Sequence, residues 1–319
     1  MISREDEWLH PAGPDSAWQE SFYFNWADPD RRAFTLARIG YRANVRKTDG
    51  LVISLRDGEL ELYYGPADLD HDGPCSNEDP TKGMLAGDFR VTMEEPLSRW
   101  RLQIEGDRGM DVVFQAQTPP FDYHGDGGKL ASTMTGAHFE QAGRVTGWTA
   151  FGAGRQQIDA RGQRDKSWGV RDWDRLEGWN WIAGQFGPHL AFNVMQTIEA
   201  GNPLDNGFIF RDGENRAIDR CTIDYTWADH EHRMAEARIE LGEAGGPTHE
   251  IRAESLGSFP ILRGDVWIEE THAAYTCSLA GGAEVQLGQG VVEHVWRATP
   301  EEIHTRSARL AAIVPALRK

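Results

Sequence analysis

The sequence predicts an all-β protein, a sandwich or barrel of antiparallel strands, on three observations. Apolar runs are short and recur at a regular spacing, whereas long apolar stripes of helical period are rare. The 35 glycines are spread along the 319 residues without a repeat, as is usual in turn-rich β proteins. Asp-Gly turn signals join neighbouring runs, as at Asp57-Gly58 and Asp212-Gly213.

Strands are predicted along nearly the whole chain. The first half begins with SFYFNWAD, residues 21–28, and continues as three hairpins with turns at Arg56–Gly58, Gly106–Gly109 and Gly152–Gly154. The second half supplies a further series of runs, from GWNWIAGQF to EVQLGQGVVEHVWR, with a strong hairpin turn in FRDGEN. Successive short strands of this kind favour antiparallel architecture over an α/β sheet.

The C-terminal region is the one part of the sequence whose pattern predicts a helix. Thr299 is placed to cap it, Pro300 occupies the first helical position, and acidic residues follow in the first turn. One apolar stripe then runs through Ile303, Leu310, Ile313 and Leu317. We expect this helix to pack on a barrel or to cover an open end.

Two polar loops interrupt the strands. Residues 65–85 contain DLDHDG, which resembles part of a calcium loop but lacks the final glutamate and the flanking helices. Residues 118–130, with Phe121, Tyr123 and His124, are interpreted either as a lid at a barrel rim or as a surface excursion. DHEH, residues 229–232, is read as a solvated turn, and no metal site is predicted.

The charge and composition of the chain restrict the classes of partner that we expect it to bind. The formal charge is −17 and the pI about 5.1, which excludes nucleic acid and anionic membrane surfaces as expected partners. Cys75, Cys221 and Cys277 are far apart and show no metal or redox spacing. Neither a signal segment nor an apolar span for membrane insertion is evident, so we expect a soluble cytoplasmic protein, with a homodimer left open.

Standard catalytic motifs are absent from the sequence. It contains no nucleophile elbow, no phosphate-binding loop, no HExxH and no dinucleotide fingerprint in a strand-to-helix context. The sequence therefore predicts no metal and no organic cofactor.

The stretch RGQRDKSWGVRDWDR, residues 161–175, is the most informative part of the sequence. An extended conformation would mix charge and aromatic rings on both of its faces. One face would carry Arg164, Lys166, Trp168 and Asp172, and the other Asp165, Ser167, Arg171 and Trp173. The charges nearly cancel, as a buried network requires, because an isolated buried charge costs several kcal/mol.

These residues also carry a family resemblance. GQRDKSWGVRDW, together with HFEQAGRVTG, ESFYFNWAD and GQGVVEHVW, resembles the AttH-like proteins, which are relatives of the carotenoid 1,2-hydratase (hydroxyneurosporene synthase) group. The resemblance extends from about Trp8 to Trp296. It implies two lipocalin-like (calycin) antiparallel β-barrel domains. The strand count independently indicates two β units of similar size with a boundary between about Gly154 and Gly178, so we expect the domains to be residues 1–165 and residues 166–319, the second including the C-terminal helix.

The resemblance also implies activities. The superfamily includes hydratases that add water to an isoprenoid double bond and distant relatives that catalyse pericyclic cyclisations. The hydratase motif has the form Asp-His-x-Trp-Gly; Asp165, Trp168 and Gly169 match it, and Lys166 stands at the histidine position. Lysine is about four units more basic than imidazole in water, so Lys166 is interpreted as an acid, as a desolvated base or as an ion-pair partner.

Further candidates are polar residues in apolar strands, which meet either a neighbour or a ligand. The predicted catalytic residues are Lys166, Asp172, His138 and His294. The predicted substrate-binding residues are Trp168, Trp173, Tyr23, Asn25, Glu140, Arg171, Asn193 and Trp181. Core packing of Trp168 and structural ion pairing of Lys166, Arg171 and Asp172 are the alternatives.

The leading hypothesis is a cofactor-independent enzyme that acts on a hydrophobic small molecule (terpenoid, polyketide-like or aromatic) by acid–base chemistry. Hydratase, dehydratase and the related lyase or isomerase reactions fit it best, because they need no covalent intermediate. The alternative is a non-catalytic carrier of a lipophilic ligand. An enzyme requires at least two ionisable groups within about 4 Å of a common point, whereas a carrier's cavity would be almost wholly apolar.

Overall fold

A computed structural model describes residues 2–28, 32–68, 79–125, 130–131, 133–134, 136–151, 154–282 and 285–311. The chain divides into two compact units. The first comprises residues 1–125 and 133–174, and the second residues 126–132 and 175–319. The boundary expected between residues 165 and 166 falls inside a strand of the first unit. Strands account for 64% of the structure and helices for 7%, which confirms the predicted all-β fold class.

The first unit contains one antiparallel sheet. Its strands are β1 (Trp18–Asp28), β2 (Ala33–Arg42), β3 (Lys47–Arg56), β4 (Glu59–Asp68), β5 (Met84–Ala86), β6 (Phe89–Glu95), β7 (Arg99–Ile104), β8 (Met110–Ala116), β9 (Phe121–Asp122), β10 (Ala137–Thr149) and β11 (Gln156–Val170). Short 3-10 helices cover Arg4–Glu7, Ala43–Val45 and Pro80–Lys82. The strand order is β4-β3-β2-β1-β11-β10-β8-β7-β6-β5, with β9 added to β10.

The second unit contains the other sheet. Its strands are β12 (Gly178–Gln185), β13 (Ala191–Glu199), β14 (Asn202–Leu204), β15 (Gly207–Arg211), β16 (Glu214–Trp227), β17 (Met234–Glu243), β18 (Thr248–Arg263), β19 (Val266–Ser278) and β20 (Val285–Arg297). Strand β12 pairs with both β13 and β20, so the sheet closes on itself as a barrel.

The two hairpins predicted from Asp-Gly form for the predicted reason, whereas part of the turn predicted at Gly152–Gly154 lies outside the described residues. Asp57 and Gly58 join β3 to β4 with both residues at positive φ, and Asp212 and Gly213 do the same between β15 and β16. Two consecutive positive φ angles match the twist of the flanking strands, and Asp-Gly adopts them at low cost. The segment 118–130 departs from a plain excursion, because Phe121–Asp122 adds a short strand to β10.

Each sheet packs one face around an apolar core. In the first unit the core takes alternate residues of β1, namely Phe22, Phe24 and Trp26, against Trp100 and Phe114. In the second unit it takes alternate residues of β12, β13, β19 and β20, with Ile182, Phe192, Val194, Tyr275 and Val292 among them. A strand presents successive side chains to opposite faces, so the residues between these positions face away from the cores.

The C-terminal helix is interrupted within the predicted apolar stripe. Helix α1 spans Pro300–Thr305, and Thr299 forms a capping box with Glu302 as expected. A turn at Arg306 precedes helical residues 307–311, while Ile313 and Leu317 lie outside the described residues. The loop with DLDHDG and Cys75 also lies largely outside them. In the described part of the chain, no helix is long and apolar enough to cross a membrane.

Strands β1 and β11 approach each other closely at Gly162. A Cβ atom at this position would clash with the backbone oxygen of Asn25 on β1. We expect Gly162→Ala to lower the free energy of unfolding by about 1–3 kcal/mol, because backbone cannot move aside as a flexible side chain does. Gly136→Ala is the control, since its added Cβ would meet only ordinary contacts, the nearest at 3.6 Å. Equal denaturant midpoints for the two variants would contradict the packing described here.

Candidate functional site

Strand β11 lies between β1 and β10 and carries the two faces of the candidate region. Lys166 is opposite Phe22 on β1 and Phe139 on β10, in a row that faces the core of the first unit. Asp165 is opposite Tyr23 and Glu140, in a row that faces away from it. Alternation along one strand therefore separates residues that are neighbours in sequence.

Lys166 is fully buried on the core-facing side. Its Nζ lies 2.6 Å from Glu20 Oε1 and donates to the backbone oxygens of Asp6 and Trp8 at 2.6 and 2.7 Å. Burial lowers the pKa of Lys166, and the Glu20 carboxylate acts in the opposite sense. All three hydrogens of the ammonium group are engaged, which favours the ion-pair interpretation of Lys166 over the catalytic one.

Arg164 forms a second buried ion pair on the same face. Its Nη1 and Nη2 donate to the two carboxylate oxygens of Glu7 at 3.1 and 2.5 Å. Its Nε donates to Gln141 Oε1 at 3.0 Å, and the guanidinium lies over the rings of Trp100 and Phe139. The segment before β1 is thus fixed to the barrel by charge-assisted hydrogen bonds.

Trp168 belongs to the same group. Its ring stacks on His10 with centroids 4.0 Å apart, and Lys166 Nζ lies 4.8 Å from its ring. His10 in turn lies 3.0 Å from Glu20. These contacts give Trp168 a packing role in holding the segment before β1.

The other face of β11 carries a buried polar cluster, which we term the His138 cluster. It is made by three neighbouring strands and the chain after β9, and its members are Tyr23, Asn25, Tyr123, His138, Glu140, Gln163 and Asp165. Sequence analysis predicted Tyr23, Asn25, His138 and Glu140 as site residues, and the register of β1, β11 and β10 brings these four together. Glu140, Tyr123, Gln163, Asn25 and His138 are each at most 3% exposed.

Glu140 is the centre of the hydrogen bonds in the His138 cluster. Gln163 Nε2 donates to Glu140 Oε2 at 2.8 Å, and the hydroxyl of Tyr123 bonds the same carboxylate. His138 Nε2 lies 3.2 Å from Glu140 Oε1. Asn25 extends the network, because its Oδ1 accepts from the backbone N–H of Gln163.

His138 itself is a neutral imidazole. Burial lowers its pKa to about 4; Asp165 opposes this shift and Arg171 adds to it. The approach to Glu140 is not aligned as a hydrogen bond, and among the described residues neither ring nitrogen of His138 has a hydrogen-bond partner. A buried nitrogen without a partner is uncommon in proteins and marks a position where a substrate atom could bind.

Burial also acts on the neighbouring phenol. It raises the pKa of Tyr123, and the carboxylates of Glu140 and Asp165 act in the same direction. Tyr123 is therefore a proton-bearing hydroxyl at neutral pH. The cluster holds an imidazole that can accept a proton and a phenol that can donate one, which is the minimum that acid–base chemistry needs.

The alternation of side chains between the two faces of β11 does not continue beyond the end of the strand. The strand ends at Val170, residues 171 and 172 are irregular and residues 173–175 form a turn, so the expected alternation of Arg171, Asp172 and Trp173 does not hold. The Arg171 guanidinium lies 5.3 Å from the Trp173 ring, and the backbone N–H of Asp172 donates to Thr133. Arg171 adjoins the His138 cluster through its charge.

The remaining predicted site residues lie in the second unit. His294 is on the core face of β20, where its Nδ1 lies 2.7 Å from Asn180 Oδ1, and Tyr225 donates to the same oxygen at 2.9 Å. Its ring neighbours Trp227 and Trp296. Burial lowers the pKa of His294 to about 4, and His232 adds to the effect. The barrel interior is thus partly polar and rich in aromatic rings.

Trp181 and Asn193 lie on the opposite face from His294. Trp181 is opposite Glu293 on β20, and Asn193 is opposite Ala183, two residues along β12. Both are buried. His294 and this pair are therefore on different faces of one sheet.

Sequence reasoning missed four residues that the geometry makes prominent: Glu7, Glu20, Gln163 and Tyr123. Glu7 and Glu20 lie in or beside a polar N-terminal segment, where acidic residues look like ordinary surface groups. A cue was available for Glu20, since it directly precedes the aromatic strand SFYFNWAD. Gln163 and Tyr123 carry no pattern of their own, because Gln163 gains its partner through the pairing of β11 with β10 and Tyr123 through the pairing of β9 with β10.

Comparison with known proteins gives one family and several solved structures of the same fold. The family described as a domain of unknown function, DUF7064, matches residues 3–298. No curated protein sequence matches the chain. CghA with Sch210972 is similar in structure, with a TM-score of 0.64 at 14% identity over 88% of this chain and 89% of that chain.

Two further solved structures share the fold. Kievitone hydratase from Nectria haematococca has a TM-score of 0.63 at 12% identity over 89% of this chain and 91% of that chain. The AttH-like protein NE1406 from Nitrosomonas europaea has a TM-score of 0.64 at 14% identity over 90% of this chain and 95% of that chain. These similarities confirm the expected AttH-like, carotenoid-hydratase-like fold.

Replacing Lys166 tests the ion pair. We expect Lys166→Met to lower the free energy of unfolding by about 3–5 kcal/mol, because it leaves Glu20 buried without its cation. Lys82→Met is the control, since Lys82 pairs with Asp79 at the surface and its side chain is 81% exposed; it should change stability by less than about 1 kcal/mol. Urea denaturation measures both, and equally small effects would rule out the structural role.

His138 should make the fold sensitive to acid. An unfolded histidine binds a proton below about pH 6.5, whereas folded His138 resists protonation down to about 4. Stability therefore rises with pH across this window and falls as the pH drops through it. Wild type should lose free energy of unfolding on acidification, and we expect His138→Gln to reduce that loss by up to about 3 kcal/mol. The exposed His189→Gln is the control, and identical pH profiles of unfolding for the two variants would contradict the prediction.

Proposed function

We propose that this chain, which belongs to the DUF7064 family of domains of unknown function, is a cofactor-independent enzyme that acts on a hydrophobic small molecule by acid–base chemistry. The reaction is a hydration or dehydration, or a related lyase or isomerase step. The observation that carries the proposal is His138, a buried neutral imidazole whose ring nitrogens have no hydrogen-bond partner among the described residues.

His138 would act as the general base. The imidazole is unprotonated over the whole physiological range, since its pKa lies near 4, so a ring nitrogen has its lone pair available to accept a proton. The nearby Glu140 carboxylate would stabilise the imidazolium that forms, and it is itself held by Gln163 and Tyr123. The low dielectric of the site strengthens this interaction relative to water.

Tyr123 would serve as the proton donor in the same site. Its ring contacts His138 with centroids 4.8 Å apart, so base and donor can reach adjacent atoms of one substrate. Removal of a proton by His138 and protonation of a leaving hydroxyl by Tyr123 together amount to loss of water. The reverse sequence amounts to addition of water to a double bond.

Two further facts support this class of reaction. Asp165, which matches the aspartate of the hydratase motif, is opposite Glu140 in the same row of side chains. Kievitone hydratase and CghA share the fold, and the first is a hydratase by name. The proposed substrate is hydrophobic because almost every member of the cluster is buried.

A carrier function has its own supporting observation. Tyr225, Trp227, His232, His294 and Trp296 line one end of the second barrel and are only partly buried, although they face its interior. Partly exposed aromatic rings inside a closed barrel are suited to an apolar ligand. Binding without turnover is therefore the second candidate.

Native mass spectrometry and kinetics separate the two functions. We expect the purified protein to retain or accept a hydrophobic small molecule and to convert it, and His138→Gln to lower kcat by about 10²–10⁴-fold, the usual contribution of a general base. His124→Gln is the control, because His124 is exposed one residue after Tyr123. Unchanged turnover in His138→Gln would end the proposal, and binding with no conversion by wild type would favour the carrier.

A further inference from the structure

Two glutamates face each other on neighbouring strands of the second unit. Glu270 on β19 is directly opposite Glu293 on β20, on the face turned away from the apolar core. Directly opposed residues in an antiparallel pair have Cβ atoms about 4.5–5.5 Å apart, so two ionised carboxylates here would repel each other. The two side chains are instead hydrogen-bonded to one another.

The surroundings of the pair also disfavour two negative charges. Glu270 is 1% exposed, and within the described part of the chain its Oε2 has no hydrogen-bond partner. An ionised oxygen in that position would lose its hydration without compensation, whereas the carbonyl of a neutral acid tolerates it better. A proton held between the carboxyl groups resolves both problems, as it does in other buried carboxyl pairs.

Glu293 connects the pair to an aromatic surface. It is partly exposed, and the indole N–H of Trp179 donates to its Oε1. Trp181 is opposite Glu293 on β12 and shares its face. Indole rings stabilise nearby positive charge, which is the charge that develops when an alkene is protonated.

The other charged and titratable groups near the pair are already engaged. Glu269 faces the core side and is bound by Arg309. His272 lies on the same face as Glu270, two residues along β19, and its Nε2 lies 3.0 Å from Gln289. His294 follows Glu293 but points to the core, where it contacts Asn180.

We propose that Glu270 and Glu293 share one proton at neutral pH and form a proton-donating site for a neutral, hydrophobic olefin or alcohol, with Glu293 as the catalytic acid and Glu270 as the positioning residue. This pair is a second site, separate from the His138 cluster and acting on its own substrate, and its role in catalysis rests on the class of reaction proposed above, hydration or dehydration. The shared proton does not, because it follows from the burial and the opposition of the two carboxyl groups.

The proposed reaction needs water as its only co-reactant. The O–H bond of Glu293 breaks as its proton forms a C–H bond with the alkene, which leaves a carbocation beside the indole rings and a carboxylate on Glu293. Water adds to the cation, and the proton that the resulting oxonium releases returns to the carboxyl pair. The net reaction is alkene plus water giving alcohol, and dehydration is its reverse.

Burial raises the pKa of Glu270 well above the usual range, and the charges of Glu293 and Glu269 act in the same direction. Folding then takes up a proton at any pH between the ordinary glutamate value and the raised one. Wild-type stability should therefore fall as the pH rises through this window. This dependence of stability on pH is opposite in direction to the one expected from His138.

Two measurements without substrate test the shared proton. A hydrophobic carbodiimide, which reacts with protonated carboxyl groups, should label wild type at neutral pH at Glu293 or Glu270, located by peptide mass. Thermal unfolding should show Glu270→Gln gaining on wild type as the pH rises from about 5 to about 8, because the amide needs no proton. Glu254→Gln, an exposed glutamate on β18, is the matched control and should track wild type throughout.

Kinetics test the catalytic role. Once a substrate is known, Glu293→Gln should lower kcat at least 100-fold with little change in KM, and Glu270→Gln should shift the acidic or basic limb of the pH–rate profile. Absence of both labelling and the pH-dependent stability gain would overturn the shared proton. Full turnover in Glu293→Gln would overturn the catalytic role, while loss of turnover in His138→Gln alone would leave the proposed function intact.

Discussion

The first barrel depends on the pairing of charges inside it. Arg164 with Glu7 and Lys166 with Glu20 place two cations and two anions in a space otherwise filled by aromatic rings. Neither cation could remain there alone, because an uncompensated charge in such a medium is far less stable than in water. Glu7 lies before β1 and Glu20 lies in β1, so the two ion pairs join the segment before β1 and the start of β1 to β11, an interior strand of the sheet.

That pairing accounts for the polar character of the opposite face of β11. With Arg164 and Lys166 directed inward, Gln163 and Asp165 are directed to the other side, where β10 supplies His138 and Glu140 and β1 supplies its own polar residues. One strand therefore stabilises a core with its even-numbered residues and presents a polar cluster with its odd-numbered ones. The second unit also separates an apolar face from a polar one, since Glu270 and Glu293 lie on the face of their sheet that is turned away from the apolar core.

Most of the fold could be predicted from local patterns, whereas the site could be predicted only in pieces. Asp57-Gly58 and Asp212-Gly213 specify their hairpins through backbone angles that few other residues adopt, so those elements needed no knowledge of partners. His138 and Tyr23 are 115 positions apart, and only the order of β1, β11 and β10 makes them members of one cluster. The charges of the stretch 161–175 balance one another in composition, but Arg164 and Lys166 take their partners from the segment 7–20 instead.

Lys166 holds the segment before β1 largely through main-chain atoms. Two of its three hydrogen bonds reach the carbonyl oxygens of Asp6 and Trp8, which every amino acid possesses. The side chains at those two positions can therefore change during evolution without loss of the attachment, provided the backbone keeps its path. Sequence comparison would then undervalue this segment, and relatives that share its function should be sought by the course of the chain and by the lysine that receives it.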